Sequence, residues 1–225
     1  MTFNERIVEY VLDHQLVLII IIYVFFLAGA LWNTLGLFES VMSVATPYVL
    51  IITAIVSWML TYSLTAKSGI AFGIIFVGTW AIEALGVATG FPFGSYVYTD
   101  VLGWKVLGVS LVIPFAWVSV ISSSDAVAGH FFGKTSIVLV ALFATIFDFF
   151  LEFAAEALDY WHWGSMLPPV SNYLSWFVIS LTAVALLRDT SRRRPFLRLP
   201  AHLYIAQLLY FGLTVIGTHI DALVK

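Results

Sequence analysis

The sequence predicts an all-α protein, a polytopic membrane helix bundle with seven transmembrane helices in a single transmembrane domain over residues 1–225. Composition is the first observation behind this prediction, because 61% of the residues are hydrophobic and only 10% are charged, against about 25% in soluble domains. The mean hydropathy of +1.01 is the second. A soluble globular enzyme and a disordered chain are both excluded by these values.

The charged and sulfur-containing residues exclude further classes of function. The chain contains no cysteine, which rules out disulfides, zinc–thiolate sites and thiol nucleophiles. Its net charge is −3, and the charges are spread thinly along the chain, so no nucleic-acid partner is expected. The histidines show no ligand spacing, so no metal is predicted. Membrane lipid is the expected surrounding.

Seven stretches are long and apolar enough to cross a hydrocarbon core of ~30 Å, which takes about 20 helical residues. They lie near residues 16–35, 44–64, 70–89, 106–121, 135–158, 173–187 and 201–220. Pro114 falls within the fourth stretch and predicts a kink there. Residues 122–134, which follow it, are expected to form a loop.

The distribution of basic residues predicts the orientation. The N-terminus and the second, fourth and sixth loops hold eight of the ten basic residues: Arg6, Lys67, Lys134, Arg188, Arg192, Arg193, Arg194 and Arg198. The opposite face holds Lys105 and Lys225. The positive-inside rule therefore places the N-terminus in the cytoplasm and the C-terminus outside, in what we expect to be a prokaryotic plasma membrane.

Carboxylates lie where charges are expensive. Glu83 is in the third span, and Asp148, Glu152 and Glu156 are in the fifth. A charge at the membrane centre costs at least ~2.5–3.5 kcal/mol, so an acid there is a functional-site hypothesis by default. Asp148 and Glu152 are one helical turn apart and must face the bundle interior. The alternative is that these acids only hydrogen-bond a neighbouring helix.

Burial without a nearby cation favours the neutral form of a carboxylic acid, and clustering favours it further for at least one member. A neutral acid in apolar surroundings is a proton donor, which is the state needed to protonate a weak base such as an alkene. The sequence therefore predicts a general acid among the carboxyls of the third and fifth spans. Glu156 and Asp159 are nearer the outer interface, where a solvated acid is expected.

Two loops, residues 90–105 and 159–172, are rich in aromatic side chains and are both expected outside. One interpretation is an aromatic belt at the membrane interface. The other is that the loops fold over a cavity and line it with aromatic faces, which stabilise a nearby carbocation by a cation–π effect.

Three segments taken together resemble a known family. They are EALG and GFPFGSYVY within residues 83–98, IPFAW at residues 113–117, and DFFLE, DYWHW, NY and WF within residues 148–177. In combination they resemble the integral-membrane carotenoid biosynthesis protein family that includes the CruF-type carotenoid 1′,2′-hydratases. The first two spans and the last add only hydropathy to this resemblance.

The resemblance implies an acid-catalysed, cofactor-free hydration of the terminal C=C of an acyclic carotenoid end group to a tertiary alcohol. Its substrate would be an acyclic or monocyclic carotenoid of the lycopene or γ-carotene type. Asp148 or Glu152 would protonate the alkene, and Glu83 would orient water or share the proton. The residues expected to bind substrate are Trp117, Tyr96, Trp161, Trp163, Asn172, Trp176 and Asp159.

Other functions share parts of this pattern. An end-group cyclase or isomerase would use the same protonation, and a non-catalytic carotenoid-binding protein would use a similar cavity. A seven-span retinal protein needs a lysine in the last span, and residues 201–220 contain none. The four-residue spacing of Asp148, Glu152 and Glu156 is similar to the diphosphate–magnesium motif of prenyltransferases, but the basic residues are predicted on the opposite face.

Overall fold

The computed structural model describes residues 3–133, 136–187 and 198–224, and they form an all-α bundle with four short strands. The helices are α1 (Phe3–Asp13), α2 (Gln15–Thr34), α3 (Glu39–Thr61), α4 (Ala66–Thr89), α5 (Ile113–Phe132), α6 (Ile137–Ala157), α7 (Val170–Leu187) and α8 (Leu199–Val224). The strands are β1 (Tyr96–Tyr98), β2 (Lys105–Val106), β3 (Val109–Ser110) and β4 (Trp161–Trp163).

Within these ranges, six helices are long and apolar enough to cross a membrane: α2, α3, α4, α6, α7 and α8 up to Ile220. They correspond to six of the seven predicted spans. A short helix that was not predicted, α1, precedes them. Its Val8 and Val11 contact Leu60 and Leu199, so it packs where α3 ends and α8 begins.

The fourth predicted span, residues 106–121, is wrong in position. Val106 lies in the β2–β3 hairpin, and the helix begins only at Ile113. Pro114 is in the first turn of α5, where no intrahelical partner is needed for the missing N–H, so the predicted kink is also wrong. The helix ends before Gly133, whose left-handed conformation (φ +63°) caps it.

The second half of α5 is polar and buried, although residues 122–134 were predicted to form a loop. The Ser122 and Ser57 hydroxyls hydrogen-bond each other at 2.8 Å between α5 and α3. Tyr62 Oη, just after α3, donates to Asp125 Oδ2 at 2.8 Å. These contacts join the two helices inside the bundle. The polar side chains lower the hydropathy of α5, which explains its absence from the six apolar helices.

Pairing between two loops bears on the number of crossings. The β1 strand follows α4 and pairs antiparallel with β4, which follows α6. Both loops therefore lie at the same end of the bundle, and α5 must run to the other end before α6 returns. Its 20 residues span about 30 Å at 1.5 Å per residue. The seventh crossing stays a prediction, which this pairing supports.

The orientation in the membrane also stays a prediction. Several basic residues on which it depends lie outside the described residues: Lys134, Arg188, Arg192, Arg193, Arg194 and Lys225. Of the others, Arg6 is in α1 and Lys67 is in the first turn of α4.

Helix packing in the bundle is uneven. The α2 helix packs extensively on α8, α3 on α5, and α6 on α7, whereas α2 and α3 barely touch. Gly217 of α8 permits the close approach to α2, because a Cβ atom there would overlap the side chain of Thr34. Small residues commonly serve this purpose between membrane helices.

Replacing Gly217 with alanine tests this contact. Gly217→Ala should lower the free energy of unfolding by about 1–3 kcal/mol through overpacking against Thr34. The control is Gly212→Ala in the same helix, where an added Cβ meets nothing within 4 Å and the higher helix propensity of alanine favours folding. Thermal unfolding in detergent gives the Tm of each variant. Equal Tm values for the two variants would contradict the assigned contact.

Candidate active site

A cavity of about 270 Å³ lies inside the bundle, and all three predicted catalytic acids line it: Glu83 of α4, and Asp148 and Glu152 of α6. Six of the seven side chains expected to bind substrate also line it: Tyr96, Trp117, Trp161, Trp163, Asn172 and Trp176. The sequence pattern thus identified residues from four helices and two loops that the fold brings together.

Glu83 is buried and receives three hydrogen bonds from neutral donors. Its Oε2 atom accepts from the hydroxyls of Tyr96 at 2.5 Å and Tyr98 at 2.8 Å. Its Oε1 atom accepts from Trp117 Nε1 at 2.8 Å. The two tyrosines alternate along β1, so both side chains face inward. Three donors on one carboxyl stabilise its anionic form.

The tyrosines of β1 remain donors over the physiological pH range. Burial raises the pKa of both Tyr96 and Tyr98, and the adjacent Glu83 carboxylate raises it further. A phenol with a raised pKa keeps its proton. Both phenols therefore keep the protons that they donate to Glu83 near neutrality.

Gly86 allows the loop to approach Glu83. It lies one turn after the acid in α4, and a Cβ there would come 2.7 Å from the ring of Phe93 and 2.9 Å from Tyr96 Oη. Any larger residue would push the loop away from the helix. The glycine in this part of the sequence motif thus has a steric role.

Asp148 and Glu152 form a pair that Asn172 of α7 joins. The Asn172 amide nitrogen donates to Asp148 Oδ2 at 2.8 Å and to Glu152 Oε1 at 3.1 Å. Glu152 Oε2 also accepts from Trp161 Nε1 at 3.0 Å and from Trp163 Nε1 at 2.7 Å. Because both hydrogens of the amide are used, Asn172 fixes the separation of the two carboxyls.

The three acids differ in the number of donors they receive within the described part of the chain. Glu83 and Glu152 each accept three hydrogen bonds, whereas Asp148 accepts one. The second oxygen of Asp148, Oδ1, is buried and receives none from the described residues. Asp148 itself is fully buried. Its anionic form is therefore the least stabilised of the three.

A two-stranded sheet made by the aromatic loops covers the acids. Tyr96 pairs with Trp163 and Tyr98 with Trp161 across β1 and β4, and all four side chains line the cavity. Of the two interpretations of these loops, folding over a cavity is confirmed. The interfacial belt does not describe these four rings.

Stacked indoles form another part of the wall. Trp117 of α5 and Trp176 of α7 lie face to face, with ring centroids 3.5 Å apart and planes 13° apart. The Trp117 N–H is bound to Glu83, so the ring is fixed in its plane. Both indoles line the cavity, and the faces of an aromatic ring carry its negative charge density.

The structure places Asp159, the seventh residue expected to bind substrate, outside the cavity. Its carboxylate is exposed and pairs with His162 Nε2 at 2.8 Å. Its backbone has φ +56°, and its carbonyl accepts a hydrogen bond from Thr99 Oγ1. Asp159 therefore shapes the turn into β4. Glu156 of α6 is also exposed, as expected for an acid near the interface.

Two polar groups of the cavity wall were missed by the sequence analysis. Ser119 Oγ in α5 and Gln207 Oε1 in α8 are buried, and neither has a hydrogen-bond partner among the described residues. A glutamine in the middle of an otherwise apolar span was a signal that could have been used for Gln207. Much of the remaining wall comes from α2, α3 and α8. In the sequence these helices were recognised only by their high hydropathy, and no functional residue was predicted on them.

A protein-family model matches the part of the chain that contains this site. A family model described as carotenoid biosynthesis protein matches residues 42–224, which include all three acids and both aromatic loops. No curated protein and no solved structure matches the chain. The match covers most of the chain and confirms the resemblance seen in the sequence motifs. The chain is a membrane protein that belongs to the carotenoid biosynthesis protein family.

Proposed function

We propose that this protein is a carotenoid 1′,2′-hydratase, which adds water to the terminal C=C of an acyclic carotenoid end group without a cofactor. Family membership supports a carotenoid substrate. The hydration step is supported chiefly by one observation: three carboxyl groups line one cavity, and Asp148 accepts a single hydrogen bond from the described residues where each of the other two accepts three.

Asp148 is the proposed general acid. A carboxyl that receives a single hydrogen bond in an apolar interior is the one of the three that most favours its protonated form. Glu152, one turn further along α6, accepts three donors and suits a carboxylate. The sequence left open which of the two protonates the alkene, and the hydrogen bonds favour Asp148.

The proposed reaction balances without a further reactant. Asp148 gives its proton to the less substituted carbon of the double bond, and the positive charge forms on the tertiary carbon. A water molecule attacks that carbon through oxygen and becomes a protonated alcohol. Its surplus proton passes to a carboxylate of the Asp148–Glu152 pair, which restores the acid.

Two features of the wall suit the intermediate. Indole and phenol faces from Trp117, Trp176, Tyr96 and Tyr98 offer cation–π stabilisation to a tertiary carbocation. Glu83 accepts three hydrogen bonds that favour its carboxylate form, and as a carboxylate it adds electrostatic stabilisation where charge develops. Both groups are fixed before the substrate binds.

Water binding distinguishes hydration from cyclisation. Ser119 Oγ, Gln207 Oε1 and Asp148 Oδ1 are buried cavity oxygens without partners among the described residues. Polar atoms of this kind usually bind ordered water. A cyclase or isomerase would instead need to keep water from the cation. These three oxygens therefore favour hydration.

We assign a substrate of the lycopene or γ-carotene type, as the sequence motifs imply, and propose a location in a prokaryotic plasma membrane. Expression in a lycopene-producing host tests the assignment. The product should gain the mass of one water per hydrated end, and ¹⁸O-labelled water should place the label in the new hydroxyl. A product of unchanged mass would indicate a cyclase or isomerase, and unaltered lycopene that copurifies with the protein would indicate a binding protein.

The role of Asp148 is tested by Asp148→Asn, which keeps an oxygen acceptor for Asn172 but removes the acidic proton. We expect hydration to slow by about 10²–10⁴-fold, the usual contribution of a general acid. Glu156→Gln is the matched control, because it makes the same kind of change on the same helix at an exposed position. Pigment extracts measured by mass spectrometry give both rates. Unimpaired hydration by Asp148→Asn would remove this residue from the mechanism.

The contact between β1 and Glu83 is tested by Gly86→Ala, whose Cβ displaces Phe93 and Tyr96. We expect slower hydration by about tenfold or more, since a misplaced active-site group costs up to about 10²-fold. Gly73→Ala in the same helix meets nothing within 4 Å and should leave the rate unchanged. If both variants hydrate the substrate equally fast, the hydrogen bonds from β1 to Glu83 do not contribute to the reaction.

A further inference from the structure

We propose that the cavity opens sideways into the bilayer between α2 and α3, and that this opening holds the hydrocarbon chain of the carotenoid while one end group reaches the acids. The identity of the occupant rests on the proposed function. The opening itself rests on two independent observations, about the wall and the helix packing, and the cavity size adds a third argument if the occupant is a carotenoid.

Exposed side chains mark the opening. Among the described residues that line the cavity, three are exposed at the molecular surface: Phe25 (55%), Trp32 (37%) and Val41 (59%). The first two are on α2 and the third is on α3. All three are apolar, and the two helices that carry them are long and apolar enough to cross a membrane. The cavity therefore reaches the surface where lipid, not water, is expected.

Helix packing accounts for the gap. The α2 helix is drawn toward α8, where Asn33 Nδ2 donates to Tyr210 Oη at 2.8 Å and Gly29 approaches the Tyr210 ring. The α3 helix packs instead on α5, and α2 and α3 have few mutual contacts although they are consecutive in the chain. On the α3 side, the small residue Ala45 faces the space that remains.

The size of the cavity requires such an opening. Its volume of about 270 Å³ lies just below the ~300–1,000 Å³ typical of sites for drug-sized ligands. A carotenoid chain of about 30 bonds extends roughly 36 Å if each bond adds about 1.2 Å, as in an extended backbone. Only one end of such a molecule fits beside the acids. The rest must leave the bundle, and an apolar opening avoids exposing it to water.

Ala45→Phe narrows the opening and tests the proposal. We expect this variant to convert a forty-carbon carotenoid about 10- to 100-fold more slowly, the range for a steric misfit in an apolar site. A ten-carbon acyclic isoprenoid with the same end group fits wholly inside and should be converted at the wild-type rate. Val41→Trp, at an exposed position of the same opening, should give the same pattern if Ala45→Phe folds poorly.

Val44→Phe is the matched control, because Val44 is exposed on α3 but does not line the cavity. It should convert both substrates at the wild-type rate. The proposal is overturned if the opening variants convert the long substrate as fast as Val44→Phe does. It is also overturned if the opening variants convert the long and the short substrate more slowly by the same factor.

Carotenoid retained by the purified protein separates this proposal from the proposed function. If the wild type hydrates nothing, the proposed reaction fails. The opening is then supported if the wild type and Val44→Phe still retain carotenoid while Ala45→Phe retains several-fold less. Equal retention by all three variants would overturn it.

Discussion

Burying carboxyl groups in an apolar bundle is the constraint on which the rest of this structure depends. A charged or polar group inside a membrane must be satisfied by the protein, since lipid offers no donors. Glu83 and Glu152 are satisfied by side chains from the two aromatic loops, and Glu83 also by α5 and Glu152 also by α7. The sheet of β1 and β4 is therefore part of the electrostatics of the acids as well as a cover.

The same constraint explains why small residues lie beside the acids. Gly86 lets β1 approach α4 closely enough for two tyrosines to reach one carboxyl. Gly94, with φ +123°, leaves room for Pro169 of the other loop, and Gly164 lies against Ser95. A side chain at Gly86 would push β1 away from α4, and one at Gly94 or Gly164 would push the two loops apart. The donors would then leave the carboxyl groups buried without partners, at a penalty of about 1–3 kcal/mol for each neutral group and more for a charged one.

The sequence predicted the site better than it predicted the helix ends. Glu83, Asp148 and Glu152 were recognisable because a charge within an apolar span is rare, and the fold does bring them together. The position of α5 was not predictable from hydropathy, because its buried half contains Asp125 and several serines; Ser122 is bonded to Ser57 of α3, and Asp125 to Tyr62 just after α3. Hydropathy measures transfer into lipid, and a helix surrounded by other helices is not exposed to it.

The remaining wall could not be predicted for a different reason. Residues of α2 and α3 that line the cavity are ordinary apolar residues, and only the uneven packing of helices distinguishes them from lipid-facing neighbours. Asp159 is an error of the opposite kind: it was predicted to line the cavity and does not. Its position in a motif gave no information about the direction of its side chain. It lies in a left-handed turn and points away from the acids. Tertiary packing determines both which residues of α2 and α3 line the cavity and where the Asp159 side chain points.

The unequal hydrogen bonding of the acids suits the site to reactions that need both a proton donor and a proton acceptor. Acid-catalysed addition needs both a proton donor and a proton acceptor inside the cavity, and here the two carboxyls one turn apart differ in hydrogen bonding, although the same amide binds both. In the proposed reaction, a carbocation would be attracted to each ionised carboxyl beside it, by about 4 kcal/mol at 4 Å for an effective dielectric constant of about 20. That attraction lengthens the life of the cation. In the proposed reaction its fate would depend on which nucleophile is held nearest, and the cavity oxygens that have no partner among the described residues are the groups that would hold water there.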